Sequence, residues 1–252
     1  MGEAEAAVVS GHLRQFPCSV HRRLRLRTHL GMVASCRKTW WNSARRCSLF
    51  GSMADPLAHD EQSLHRLLSS ALDTARADTR RDEIQILDLA CGECREVETV
   101  SATALKKLGR PGAALRFVGA DIRGAQLDDA RARGRKLRKP GTDVEFLEQD
   151  CSKLPDLKEL GKGFDMVFLR HQNYCHDRRA WRRIFQGGME RLSDSGLLVI
   201  TSYFDLEHEL ALKAIQAAGG ELVTTVRNAD SRALPTAGKS VDRHLAVFRR
   251  KR

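Results

Sequence analysis

The sequence predicts an α/β fold: a doubly wound, mostly parallel seven-stranded sheet with helices on both faces and a C-terminal antiparallel hairpin. Three observations lead there. Short aliphatic runs alternate with helical patterns from residue 55 onward. The run FDMVFLR (164–170) is almost wholly apolar, as a strand covered on both faces must be. The last two strand patterns, ELVTTVRN and SVDRHLAVFRR, are separated by eleven-odd residues without room for a helix, so they pair as a hairpin.

Taken in order, DEQSLHRLLSSALDTARA places Leu64, Leu67, Leu68, Ala71, Leu72 and Ala75 on one helical face. IQILDLA (84–90) is the first strand. A helix with Val97, Val100, Ala104, Leu105 and Leu108 on one face follows and stops at Gly109. LRFVGADI (115–122) is the second strand, and AQLDDARARGRKLRK a polar, basic helix closed by Pro140-Gly141. DVEFLEQD (143–150) and FDMVFLR are the third and fourth strands. DRRAWRRIFQGGMERL turns Trp181, Ile184, Phe185, Met189 and Leu192 inward and is stopped by SDSG. LLVITSYF (197–204) is the fifth strand, and LEHELALKAIQAAGG a helix with a Gly-Gly end. Repeated βα units argue for a parallel sheet with right-handed crossovers.

Charge is unevenly spread. The net charge is +11, but residues 1–52 carry nine Lys/Arg against two Asp/Glu, and residues 53–252 carry 34 against 30. The first 52 residues form a basic, acid-poor N-terminal extension without apolar periodicity. Three readings of it stand: a transit segment, a basic arm for nucleic acid, or a stretch outside the working protein, with Met53 as the natural start. The third is favoured. Seven cysteines in no regular spacing argue against a disulfide framework and for a reducing, cytoplasmic setting, with organellar targeting by residues 1–52 left open. No run of 18 apolar residues exists, so no membrane span is expected.

In an open α/β sheet ligands bind beyond the carboxyl ends of the strands, near the switch point. Those ends carry chemistry here. Strand one runs into Asp88-Leu-Ala90-Cys91-Gly92-Glu-Cys94, small residues around a glycine able to take positive φ. Strand two ends at Asp121, where a carboxylate can take both hydroxyls of a ribose. Strand three ends at Asp150-Cys151, where a carboxylate can take an exocyclic amine. Strand four ends in Arg170-His171-Gln172-Asn173-Tyr174, polar after an apolar run.

These residues resemble the class I, Rossmann-like, S-adenosylmethionine-dependent methyltransferases. LDLACGEC is similar to their glycine-rich first motif, VGADI to the second, LEQDC to the third and FDMVFLRHQN to the fourth, over about residues 57–250. Against G-x-G-x-G, this chain has Ala90, Gly92 and Cys94, keeping only the middle glycine. The resemblance implies one methyltransferase domain in residues 53–252 and S-adenosylmethionine as cofactor. It implies that Asp88 binds the methionine amino group directly or through water, and that Ala90, Cys91 and Gly92 pass the methionine portion. It implies Asp121 on the ribose, Ile122 on the adenine face, Asp150 on the adenine amine, Cys151 as a backbone contact and Arg170 along the path to the methyl group. His171 is a candidate general base, with Asn173 and Tyr174 as candidates for orienting the acceptor, held by residues 170–176 and 203–208. Asp205, Glu207 and His208 follow strand five and also face the site; their plainer reading is helix capping by Asp205 and a solvated first turn.

Rival readings are weaker. A nicotinamide site wants G-x-G-x-x-G and an acid about 20 residues on; here Asp121 lies 29 residues after the single Gly92. No G-x-x-x-x-G-K-[ST] occurs. Cys91 and Cys94 form a C-x-x-C, but a structural zinc wants four ligands, and the other close grouping is His171, Cys175 and His176. No metal is expected. The basic runs RARGRKLRK and RRAWRR could meet RNA phosphates, yet solvated helix faces account for them, and Trp181 reads as core. A small-molecule acceptor is favoured, with an RNA (tRNA or rRNA) or protein acceptor, or a non-catalytic cofactor-binding module, as alternatives. Acceptor identity and oligomeric state stay open at this level.

Overall fold

The computed structural model describes residues 55–75, 80–156 and 160–251; the extension expected over 1–52 lies outside them. The elements are α1 (Pro56–Ala75), β1 (Arg81–Leu89), α2 (Val97–Leu108), β2 (Gly109–Asp121), α3 (Gly124–Leu137), β3 (Thr142–Glu148), a 3-10 turn (Cys151–Asp156), β4 (Phe164–Leu169), α4 (Arg178–Arg191), β5 (Leu192–Ser202), α5 (Asp205–Ala217), β6 (Gly220–Arg227) and β7 (His244–Arg250).

The seven strands form one sheet in the order β3-β2-β1-β4-β5-β7-β6. Every pair among β1 to β5 is parallel, while β7 runs antiparallel to both β5 and β6. The expected seven-stranded sheet with its closing hairpin is therefore present. The chain builds outward from β1 to β3, then returns to add β4 and β5 on the other side. The switch point lies between β1 and β4, so the loop after β1 faces the loop after β4.

Side-chain alternation divides the core by face. Ile84 and Ile86 of β1 pack with Leu64, Leu68, Val100 and Leu127 of helices α1 to α3. Leu87 and Leu89 point the other way, toward Ile184, Phe185 and Ile215 of α4 and α5. All six residues of β4 are buried, as its apolar run requires.

The boundaries differ most from the sequence reading in two strands. β2 begins at Gly109 rather than 115, because Gly109 pairs with Arg81 across a register shift although GRPGAA reads as a turn. β5 begins at Leu192, because Leu192 pairs with Phe164 across a second register shift; SDSG thus lies inside the strand.

Candidate functional site

The loop after β1 follows an unusual backbone path. Ala90, Gly92 and Cys94 have φ of 57°, 55° and 45°, so the three alternate positions of the glycine motif are all left-handed although only one is glycine. A left-handed L-residue costs roughly 1–2 kcal/mol, and the loop offsets this with hydrogen bonds. Cys91 N donates to Ala120 O at 3.2 Å, and Cys94 N to Cys91 O at 2.8 Å. Gly92 N donates to Asp121 Oδ2 at 2.8 Å. At position 92 a Cβ would sit 2.8 Å from Gln126 Oε1. Gly119 has a matching role: a Cβ there would meet Phe146 at 2.5 Å and Cys91 Sγ at 3.1 Å, so its absence lets the loop lie against β2.

Asp121 closes β2 and joins this loop to the next. Its carboxylate accepts from Gly92 N, from Arg123 N at 2.9 Å, and from Arg123 Nε and Nη2 at 2.9 and 3.0 Å. Burial alone would raise its pKa, but the Arg123 side chain and the two amides hold it below the usual value. Beside it Ile122 is 64% exposed, an apolar side chain standing free at the lip.

Beneath the loop, Asp88 is fully buried at the end of β1. Its Oδ2 accepts from Cys94 Sγ at 3.3 Å, whereas Oδ1 has no partner among the described residues. Burial, then the Glu96 and Cys91 groups, push this carboxyl well above its ordinary range.

Opposite, β4 is followed by Arg170, whose guanidinium is clamped between two buried carboxylates. Nη1 lies 3.1 Å from Glu96 Oε2, and Nη2 lies 2.7 Å from Asp242 Oδ2. Burial disfavours the charge, but Asp242 and then Glu96 raise the Arg170 pKa further than burial lowers it. Asp242 also meets His171 Nε2 at 2.8 Å. The Asp242 amide approaches the same nitrogen at 3.2 Å. The shorter contact, to a carboxylate, is the stronger one and puts a proton on Nε2. The imidazole stacks on Tyr203 with centroids 4.0 Å apart. His171 and Asp242, at φ 56° and 46°, are left-handed as well, so four strained non-glycine residues ring one crevice.

These parts line one cavity of about 1000 Å³. One wall is the β1 loop with Ile122, Arg123 and Gln126; the other holds Arg170, His171, Asn173, Trp181 and Glu207. Residues of α1, among them Asp60, and of the β6–β7 connector, among them Arg232 and Lys239, complete it. Asp60 and Arg232 tie those two segments together with contacts of 2.9 and 2.5 Å.

Of the sequence-predicted residues, Ala90, Cys91, Gly92, Ile122, Arg170, His171 and Asn173 line the cavity. Asp88 and Asp121 lie directly behind the loop, buried. Tyr174 turns away: its ring stacks on Phe185 at 5.8 Å and its hydroxyl accepts from Arg182 Nε at 3.0 Å. Asp150 is engaged in its own turn, accepting from Ser152 N at 2.9 Å and Ser152 Oγ at 2.7 Å. Cys151 is buried, with Sγ 3.4 Å from Ala120 O, and burial pushes its thiol up to about 12. The residues after β5 differ from their plain reading. Asp205 caps nothing and instead pairs with Arg243 and His244, both at 2.6 Å. Glu207 is buried and lines the cavity, and His208 is buried behind it. Trp181, read as core, packs on Phe185 yet also lines the cavity. Sequence reasoning missed Glu96 and Asp242. Glu96 looks like an ordinary acid at a helix start, and the one signal for Asp242 is a charge inside SVDRHL, a strand pattern.

Residues 86–196 match a family model described as a methyltransferase domain. The fold is similar to an S-adenosylmethionine-dependent methyltransferase from Clostridium acetobutylicum ATCC 824, at TM-score 0.53 and 11% identity, covering 79% of this chain and 94% of that one. It is similar also to a putative sarcosine dimethylglycine methyltransferase from Galdieria sulphuraria, at TM-score 0.53 and 14% identity, over 75% of this chain and 86% of that one. A third likeness is the PH0226 protein from Pyrococcus horikoshii OT3, at TM-score 0.51 and 17% identity, over 75% and 89%. Comparison with curated proteins finds no match. The domain match, the strand order with its antiparallel β7 and the loop at the switch point agree: residues 86–196 carry a methyltransferase domain, built on the class I, Rossmann-like fold, whose cofactor is S-adenosylmethionine.

Proposed function

We propose that this enzyme methylates a small-molecule acceptor held in the same cavity as the cofactor. The observation that carries this reading is the cavity itself. At about 1000 Å³ it lies at the upper end of pockets that take small ligands, and α1 and the β6–β7 connector wall it on the acceptor side.

The residues fit the cofactor. Asp88 offers a buried carboxyl oxygen without a partner, which suits the ammonium of the methionine portion. Asp121 would take the ribose hydroxyls in exchange for the half-exposed Arg123 side chain, while Gly92 N and Arg123 N keep the carboxylate oriented. Ile122 offers an apolar face for adenine. When bound, the cofactor supplies a methyl group already activated on a sulfonium. The chain's task is then in-line positioning and exclusion of water. Arg170 fixes the floor of the crevice by joining α2 to the segment before β7. His171, pinned by Asp242 and Tyr203, presents a rigid edge; its Nδ1 has no hydrogen-bond partner among the described residues and is the nitrogen able to take a proton. Asn173, exposed on the same wall, is placed to orient an acceptor.

Calorimetry should show binding of S-adenosylmethionine and S-adenosylhomocysteine that Asp121→Ala weakens at least tenfold. Labelled cofactor added to fractionated cell extract should pass its methyl group to small molecules. Label entering RNA or protein instead would reject the small-molecule acceptor while leaving the cofactor site intact.

A further inference from the structure

We propose that the acceptor is an amine with a flat apolar body, and that Glu207 receives its nitrogen. This rests on the reading that one cavity holds both cofactor and acceptor.

Glu207 is the third residue of α5. An acid there ordinarily sits in water, drawn by the positive end of the helix dipole. Here it is 3% exposed and lines the cavity. The other two buried acids on the cavity wall each have a guanidinium: Asp60 has Arg232 and Glu96 has Arg170. Glu207 has no Lys, Arg or His within 4.0 Å among the described residues. It holds Cys175 N at 3.4 Å, and the Tyr174 amide also acts on it. Lys239 lines the same cavity but stands over the Tyr203 ring, with Nζ 4.2 Å from the centroid.

Breaking a buried ion pair by removing one partner is strongly destabilising, because it leaves a buried charge uncompensated. A carboxylate in that condition from the start, facing a cavity, is completed when a ligand brings the opposite charge. A hydroxyl can donate to it but supplies no charge, and an anion is repelled. The cavity also has aromatic lining. Trp181, Tyr203 and Phe204 line the same cavity and suit an apolar body attached to a cationic head.

The chemistry balances. The ammonium first passes a proton to a Glu207 oxygen. The freed nitrogen lone pair then forms the N–C bond as the C–S bond breaks, and that electron pair remains on sulfur. Burial raises the Glu207 carboxyl above its ordinary range, against the lowering by the Cys175 amide and Lys239, which makes it a better proton acceptor than an exposed glutamate.

The test uses the full chain saturated with S-adenosylhomocysteine and three probes of one shape: tryptamine, indole-3-ethanol and indole-3-acetate. Calorimetry should find tryptamine at least tenfold tighter than the alcohol, and the acid weakest. Glu207→Gln, still binding S-adenosylhomocysteine, should bring tryptamine down to the level of the alcohol. Lys239→Met, which removes the cation competing for Glu207, should tighten tryptamine; this variant decides the matter should Glu207→Gln fail to fold. An absence of tryptamine binding, equal affinity for amine and alcohol, or a preference that survives Glu207→Gln would overturn the proposal. Failure of the wild type to bind S-adenosylhomocysteine would overturn the cofactor reading, a separate result seen before any amine is added.

Discussion

The thiol of Cys94 lies 3.3 Å from Asp88 Oδ2, so a side chain at a family glycine position donates to a fully buried carboxyl whose other oxygen has no partner among the described residues. The consequence for stability has a definite sign. Burial first, then Glu96 and Cys91, raise the Asp88 pKa. The folded state therefore holds this proton to higher pH than the unfolded chain does. Stability falls as pH rises from the unfolded value, about 4, through the folded one, and the penalty persists above it. Asp88→Asn should then melt no lower than wild type at pH 8 by scanning calorimetry, while affinity for S-adenosylmethionine drops at least tenfold. A lower melting temperature with unchanged affinity would contradict both halves.

Arg170 joins three elements through two carboxylates that have little water. Removing it alone leaves Glu96, 4% exposed, without its counter-ion, and leaves Asp242, 0% exposed, with His171 in place of two partners. Arg170→Met should cost about 3–5 kcal/mol in urea denaturation. Adding Glu96→Gln and Asp242→Asn to that variant should recover most of the loss, because no buried charge is then left over. A single variant within about 1 kcal/mol of wild type would show that the clamp is far more hydrated than its geometry indicates.

His208 gives the protein a predictable acid limit. It is 4% exposed, with Nδ1 3.0 Å from Ser202 Oγ and Nε2 2.8 Å from Thr225 Oγ1, and it stacks on His244 at 4.5 Å. Burial, then the neighbouring His244, lower its pKa from 6.5 to about 4. Between those values the unfolded chain binds the extra proton and the folded one does not. Stability is thus full above pH 6.5 and is lost as pH falls toward 4, by on the order of 3 kcal/mol. Melting temperature measured across that window should slope steeply in wild type and much less in His208→Gln. Equal slopes would assign the acid sensitivity to other groups.

Much of this was legible in the sequence, for a physical reason. Strand and helix periods are local, so the βα alternation, the buried β4 and the closing hairpin can be read from neighbouring residues. The acids at strand ends are legible because the fold places strand ends together. What could not be read is whatever depends on distant partners. Nothing near Asp242 in sequence indicates Arg170, which is 72 positions earlier. Glu207 could be placed near the site because it follows strand five, but nothing near it in sequence shows that its side chain is buried rather than solvated. Tyr174 stands in a polar run beside residues that do face the crevice, yet Arg182 and Phe185 of α4 hold it away. The Gly109 start of β2 was hidden because GRPGAA carries every local mark of a turn.

The left-handed path through Ala90, Gly92 and Cys94 bears on how the loop meets its ligand. Three glycines there would leave the free loop many shapes, and binding would have to select one of them. A methyl group and a buried thiol at two of those places narrow the choice before any ligand arrives, since the fold already holds these residues in their unfavourable dihedral region. The ordering entropy is thereby shifted from the binding equilibrium to the folding equilibrium. A loop of this kind should resemble a mould more than a flap: alike in shape empty or filled, and intolerant of ligands that need it to move.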